Sequence, residues 1–288
     1  MPESRLTAGR VVAVVACLVL TTSVAGCTTG GATRLHPVLK AGTAKRYRVV
    51  SQYRFDDVLF DLDVTYAQRV IEVSRDGIAT LELMPTQGTL KQRGGIVGGQ
   101  VDPEHPPRFT AKVNSAGMLI EFRGLICQDV QDFAGVWGVV DPIPLYNWFV
   151  GFSGFPEDDV NVGDTWGDPV TIDFPDSGRH QVHSSSQLLR FEKIGQRECA
   201  VVQSEVTLPV GSMDPAKPGQ SNISMQGDGD MKIKTTNYVD LRDGTLIRSE
   251  GSFASKVEYH FAMNDGSSTT EFASKVAEHS GDIRVTLE

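Results

Sequence analysis

Phe60-Asp61-Leu62-Asp63-Val64-Thr65-Tyr66 alternates apolar and polar residues without a break. Successive side chains of a strand point to opposite faces. Phe60, Leu62, Val64 and Tyr66 therefore share one face and Asp61, Asp63 and Thr65 the other, the pattern of a half-buried β-strand. The same period runs through Ile223, Met225, Met231 and Ile233. That longer segment, from 222 to 239, predicts a curved strand kinked at Gly227-Asp228-Gly229, where missing side chains permit a bulge. Turns are readable at Arg75-Asp76-Gly77, Asn114 to Gly117, Arg242-Asp243-Gly244 and Asn264-Asp265-Gly266. The chain is expected to be mainly β.

Two of those turns open related segments. Gly117-Met118-Leu119-Ile120-Glu121-Phe122-Arg123-Gly124 and Gly244-Thr245-Leu246-Ile247-Arg248-Ser249-Glu250-Gly251 both read G-x-L-I-x-x-x-G. Upstream of each lies a strand pair turning at Gly77 or near Gly195. The order of elements repeats with 40 residues between the glycines in the first copy and 49 in the second. Phe-Ala-Ser-Lys-Val also occurs twice, at 253–257 and 272–276, on either side of the Asn264 turn. These two copies are expected on adjacent strands of one hairpin. The predicted architecture is long antiparallel strands in two related halves, 43–125 and 162–288, forming an open curved sheet or half-barrel.

The joining segment, 126–161, has a different character. Ile126, Val130, Phe133, Trp137 and Val140 fall at helical spacing before Pro142, which predicts one crossover helix. Seven aromatics crowd residues 133–155. They either fill the sheet as core or line a partly open cleft for a lipid or other hydrophobic ligand. Phe133, Trp137, Trp148, Phe149 and Phe152 are the candidate ligand-binding residues.

The N-terminus carries the clearest signal. Arg5 and Arg10 precede an apolar run from Val11 to Leu20, about half the length of a membrane span, followed by small residues up to Cys27. Val24-Ala25-Gly26-Cys27 resembles the bacterial lipoprotein box. That resemblance implies a signal peptide over 1–26, acylation of the Cys27 thiol and a tether over 27–42. It places the protein on the extracytoplasmic side of a cell membrane, held by its acyl chains. Removing residues 1–26 takes away Glu3, Arg5 and Arg10 and leaves 25 basic against 35 acidic residues, a net charge of −10. Headgroup charge is therefore not the anchor. No basic run appears anywhere in the chain, so nucleic acid is not an expected partner. In an oxidising compartment Cys127 and Cys199 can form a disulfide, or can equally be buried apolar residues.

A central Val162-Gly163-Asp164-Thr165-Trp166, a strand at Cys199-Ala200-Val201-Val202 and the G-x-L-I-x-x-x-G hairpin together resemble a family of bacterial lipoproteins with a duplicated β-meander domain. The resemblance covers roughly residues 43–262 and implies no enzymatic activity and no binding residues. More distantly, the plan is similar to the half-barrel lipoprotein carriers of bacterial envelopes, which shelter acyl chains in a concave face. Neither similarity carries function by itself.

The residues point to no reaction. Gly151-Phe152-Ser153-Gly154-Phe155 lacks the G-x-S-x-G spacing of a nucleophile elbow. His180 and His183 are three apart on a predicted strand and face opposite ways. Asp56, Asp57, Asp61 and Asp63, or Asp228 and Asp230, lack the spacing of a calcium loop. Gly94-Gly95-Ile96-Val97-Gly98-Gly99 lacks the pattern of a phosphate cradle. No metal or cofactor is expected. The sequence predicts a non-catalytic lipoprotein that binds a hydrophobic ligand, with an envelope scaffold lacking a pocket as the alternative.

Overall fold

The computed structural model describes residues 32–95, 98–100, 108–123, 154–167, 169–174, 178–209, 223–264 and 269–288. Thirteen strands follow one another: β1 (Ala44–Phe55), β2 (Val58–Val73), β3 (Ala79–Gln92), β4 (Gly98–Gln100), β5 (Phe109–Val113), β6 (Leu119–Arg123), β7 (Thr165–Trp166), β8 (Val170–Phe174), β9 (Gly178–Ile194), β10 (Arg197–Pro209), β11 (Ile223–Asp240), β12 (Leu246–Asn264) and β13 (Thr269–Leu287). The alternation that opened the sequence reading lies in β2, where Phe60, Leu62, Val64 and Tyr66 are buried. The two Phe-Ala-Ser-Lys-Val copies lie on β12 and β13, which pair antiparallel over almost their whole length.

The sheet is a closed ring, not the open half-barrel expected from the sequence. Strands pair in the order β1-β2-β3-β5-β6-β8-β9-β10-β11-β12-β13, and β13 returns to β1 with Tyr47 opposite Leu287. Closure removes the unpaired edges that an open sheet would expose. The ring has eleven members. If every neighbour were antiparallel the strands would alternate in direction and the count would be even, so an odd ring requires a parallel step. It falls at β6–β8, where Glu121 pairs with Asp173 in parallel. A parallel step needs a long connection back to the starting end, and the crossover supplies it.

The helix expected over Ile126 to Val140 lies outside the described residues. Among the described residues no helix occurs, and 154–161 holds two bends and one bridge, Thr33 to Val160. Part of the expected tether is packed rather than free. Thr33 exchanges backbone hydrogen bonds with Val160 at 2.8 and 2.9 Å, Leu35 is 3% exposed, and Val38 N–H donates to Asp243 O at 2.9 Å. This strap, 32–40, crosses one end of the ring. Leu35, Phe155 and Val160 pack there onto the inward residues Leu188, Ala200, Val202 and Val239.

The strap also explains the repeated glycines. Gly117 and Gly244 adopt left-handed backbone, φ +77° and +66°, at the turns that precede β6 and β12. A Cβ on Gly117 would sit 3.2 Å from Pro37 Cγ, and one on Gly244 would sit 2.4 Å from His36 O and 2.7 Å from Pro37 Cα. The β5–β6 and β11–β12 turns are five strands apart in a ring of eleven, which makes them opposite each other. A circular ring of this size would be roughly 20 Å across between backbones. Both turns touch Pro37, so this end is drawn in and closed by the chain's own turns and strap.

Asp240, at the same end, is 1% exposed and holds the β11–β12 turn. Its carboxylate accepts from Arg242 N–H at 2.9 Å, Arg242 Nη2 at 2.8 Å and Arg197 Nη1 at 3.1 Å. The Arg242 side-chain hydrogen bonds, followed by its backbone N–H, hold the Asp240 pKa down at about 2. An unfolded aspartate titrates near pH ~4, so the stabilisation is complete above that and is lost as pH falls through about 2. The contribution is about 1–2 kcal/mol, discounted because Arg242 is exposed. Urea unfolding of wild type should weaken between pH 5 and pH 2, and Asp240→Asn should flatten that part of the dependence. An unchanged slope in the variant would show that other carboxylates carry it.

Candidate functional site

The inward face of the ring is built in rows of residues held opposite one another by strand register. Two groups of buried polar side chains interrupt its apolar surface, and they differ in how their hydrogen bonds are satisfied. The first lies across β9–β12 toward the strapped end. Ser186 and Ser204 hydroxyls are 2.7 Å apart; Asn237 Nδ2 donates to Ser204 Oγ at 3.3 Å and to Thr235 Oγ1 at 3.0 Å; Ser249 Oγ donates to Asn237 Oδ1 at 2.7 Å. A buried network whose members satisfy one another fixes strand register and offers nothing to a ligand.

The second group lies toward the opposite end. Ser255 on β12 stands opposite His279 on β13, which stands opposite Phe55 on β1, which stands opposite Val58 on β2. Next to this row, toward the strap, come Phe253, Gly281, Tyr53 and Phe60 in the same register. Exposed Ala254 and Lys256 flank buried Ser255, so the serine hydroxyl faces inward with Phe253 and Val257. The site is strongly aromatic. Tyr53 and Phe60 stack with centroids 5.1 Å apart, and Phe55 meets the His279 ring edge-on at 4.4 Å. His279 is 4% exposed and Ser255 7%.

Ser255 Oγ is buried and has no hydrogen-bond partner. No hydrogen bond joins it to His279. What the row offers is a hydroxyl and an imidazole within an apolar, aromatic wall. Around side-chain-less Gly281, a shallow groove of about 290 Å³ is lined by residues including Gln52, Tyr53, Phe60, Arg93 and Asp282. The nearby β1–β2 turn is pinned by Asp56, whose carboxylate accepts from Lys275 Nζ at 2.5 Å and from Glu278 N–H at 3.0 Å.

Of the residues singled out from the sequence, Cys27, Cys127, Phe133, Trp137, Trp148, Phe149 and Phe152 lie outside the described residues, as does Ser153. Phe155, from the same aromatic stretch, is 6% exposed in the strapped end, and its N–H donates to Ala116 O at 2.8 Å. Cys199 is buried, and desolvation by burial pushes its thiol pKa up, the opposite of a reactive cysteine. His180 is half-buried and His183 exposed on β9. In Val162 to Trp166, the Gly163 N–H donates to Leu188 O at 2.7 Å and Trp166 Nε1 donates to Gly154 O at 3.0 Å. That motif seats the returning crossover against β9. Sequence reasoning missed Ser255, His279 and Tyr53. The signal was present in the period-two series Ala277, His279, Gly281, Ile283, Val285, where a histidine takes an apolar position.

Among known proteins, no family model and no curated relative matches this chain.

Proposed function

We propose that this protein is an extracytoplasmic lipoprotein, anchored through Cys27, whose barrel binds a hydrophobic ligand without catalysing a reaction on it. The ligand's polar group meets Ser255 and His279, and its apolar body lies against Phe253, Tyr53 and Phe60. The observation that carries this reading is the Ser255 hydroxyl. It is buried without a partner in the same interior where the Ser186–Asn237 network leaves no hydroxyl unpaired. A buried hydroxyl that loses water without gaining a hydrogen bond costs about 1–3 kcal/mol, and a ligand polar atom offsets that cost.

Native mass spectrometry of full-length protein extracted from its host envelope tests the reading. A co-purified lipid is the expected result. Ser255→Ala should retain less of it while melting at or above the wild-type temperature, because an unsatisfied group has been removed. Wild-type protein carrying nothing, under conditions that preserve lipid complexes of other envelope proteins, would overturn the proposal.

A second reading, an envelope scaffold without a pocket, is favoured by the packing. Val49, Val64, Leu83, Leu188 and Val202 are all fully buried, and the groove at Gly281 falls just below the ~300–1,000 Å³ of ordinary ligand pockets. Absence of bound lipid together with an unchanged Ser255→Ala variant would favour it.

A further inference from the structure

We propose that the strapped end of the barrel is a docking surface for the bilayer that holds the Cys27 acyl chains, so that the Ser255–His279 end points away from the membrane. This rests on the lipoprotein reading above. The first argument is the length of chain. Only residues 28–31 separate Cys27 from Ala32, where the described strap begins, and five residue steps span at most about 18 Å when fully extended. Thr33 is already fastened to Val160 at the strapped end. A strand of 16 residues such as β2 is roughly 50 Å long. The tether therefore holds the strapped end against the bilayer and cannot reach the other.

The second argument is where apolar surface is left exposed. Among the described residues, eight large hydrophobic side chains are exposed: Val38, Val50, Ile71, Val73, Val162, Phe191, Met263 and Val276. Five of them gather at the strapped end. Val38 is in the strap itself, hydrogen-bonded to the β11–β12 turn. Ile71 and Val73 close β2 just before the Ser74 to Ile78 turn, and Val162 follows the Val160 bridge. Phe191, 38% exposed, precedes the β9–β10 turn. Apolar side chains gathered at one rim mark a contact surface, and a lipid interface is what the short tether brings to them. Glu157, Asp158 and Asp159 are exposed at the same end, so the contact is apolar and tether-held and owes nothing to anionic headgroups.

Matched cysteine variants of the full-length lipidated protein test this. Val38→Cys and Val162→Cys report the strapped end; Val276→Cys, on β13 at the other end, is the control. Val38 and Val276 are each 49% exposed and Val162 is 53%, so in detergent all three should react alike with a membrane-impermeant maleimide, read peptide by peptide by mass spectrometry. In phosphatidylethanolamine–phosphatidylglycerol vesicles loaded from outside, labelling at Val38→Cys and Val162→Cys should be lost while Val276→Cys still reacts. Protection should persist at high salt, because an apolar contact is not screened. Equal labelling at all three positions in vesicles, with Cys27 shown acylated by mass, would overturn the docking surface alone. Protection of Val276→Cys as well would mean a barrel lying on its side and would also overturn it. An unacylated Cys27 would overturn both this proposal and the lipoprotein reading.

Discussion

Cells expressing Cys27→Ser are expected to move this protein from the membrane pellet to the soluble or unprocessed fraction. On the lipoprotein reading, the serine hydroxyl cannot form the thioether through which the lipid would attach, and the signal would then not be cut before residue 27. Each buried acyl CH₂ contributes roughly 0.8 kcal/mol, and two chains suffice for stable anchoring where one gives only reversible binding. The uncut chain carries a net charge of −9, so no electrostatic attraction to anionic headgroups replaces the lost chains. Acyl-dependent membrane retention should therefore fall by orders of magnitude, with the uncut precursor distinguished by its N-terminal peptide. Fractionation with mass spectrometry of the N-terminal peptide measures it. A wild-type protein that is processed and soluble would remove the basis for the variant's effect and for the lipoprotein reading.

Replacing Gly281 with valine should destabilise the barrel by about 3 kcal/mol, at the upper end for overpacking a well-packed interior. Gly281 faces inward between Phe253 on β12 and Tyr53 on β1. A Cβ there would lie 2.6 Å from Gln52 O, 2.6 Å from Tyr53 Cβ and 2.8 Å from Tyr53 Cα. Two of those atoms are backbone, so no rotamer change relieves the clash. The strands must separate at the β13–β1 seam, the pairing that brings the last strand back to the first. For a chain of this size the midpoint should fall by about 6–12 °C. Gly281→Ala should lie between, and a valine variant melting within about 2 °C of wild type would show that the seam yields without cost.

The strands were legible because period two is a local property. Phe60 to Tyr66 declares its two faces within seven residues, and the turns at Gly77, Gly117, Gly195 and Gly244 declare themselves through left-handed glycines that few other residues replace. The ring was not legible. Closing it depends on Tyr47 meeting Leu287, 240 residues away, and each strand's own pattern is the same in an open sheet and a closed one. The strap was hidden for a related reason. Thr33 to Lys40 has no periodicity, and its role comes from lying over Gly117 and Gly244, whose shared motif showed the two turns to be alike but not that one proline touches both.

The site divides in the same way. A buried serine or histidine in a strand is ordinary until its partners are known, and hydrogen-bond satisfaction is a property of neighbours. Ser204 and Ser255 sit on equally apolar inward faces; only the packed barrel distinguishes the hydroxyl bonded to Ser186 and Asn237 from the one without a partner. By itself, the sequence determined a mainly β chain with readable turns and strand faces, because these follow from residue spacing over a few positions. Tertiary structure decided the closure of eleven strands, the parallel step at β6–β8, the end the strap covers and the place where Ser255 is left unsatisfied, because each depends on which distant residues are brought face to face.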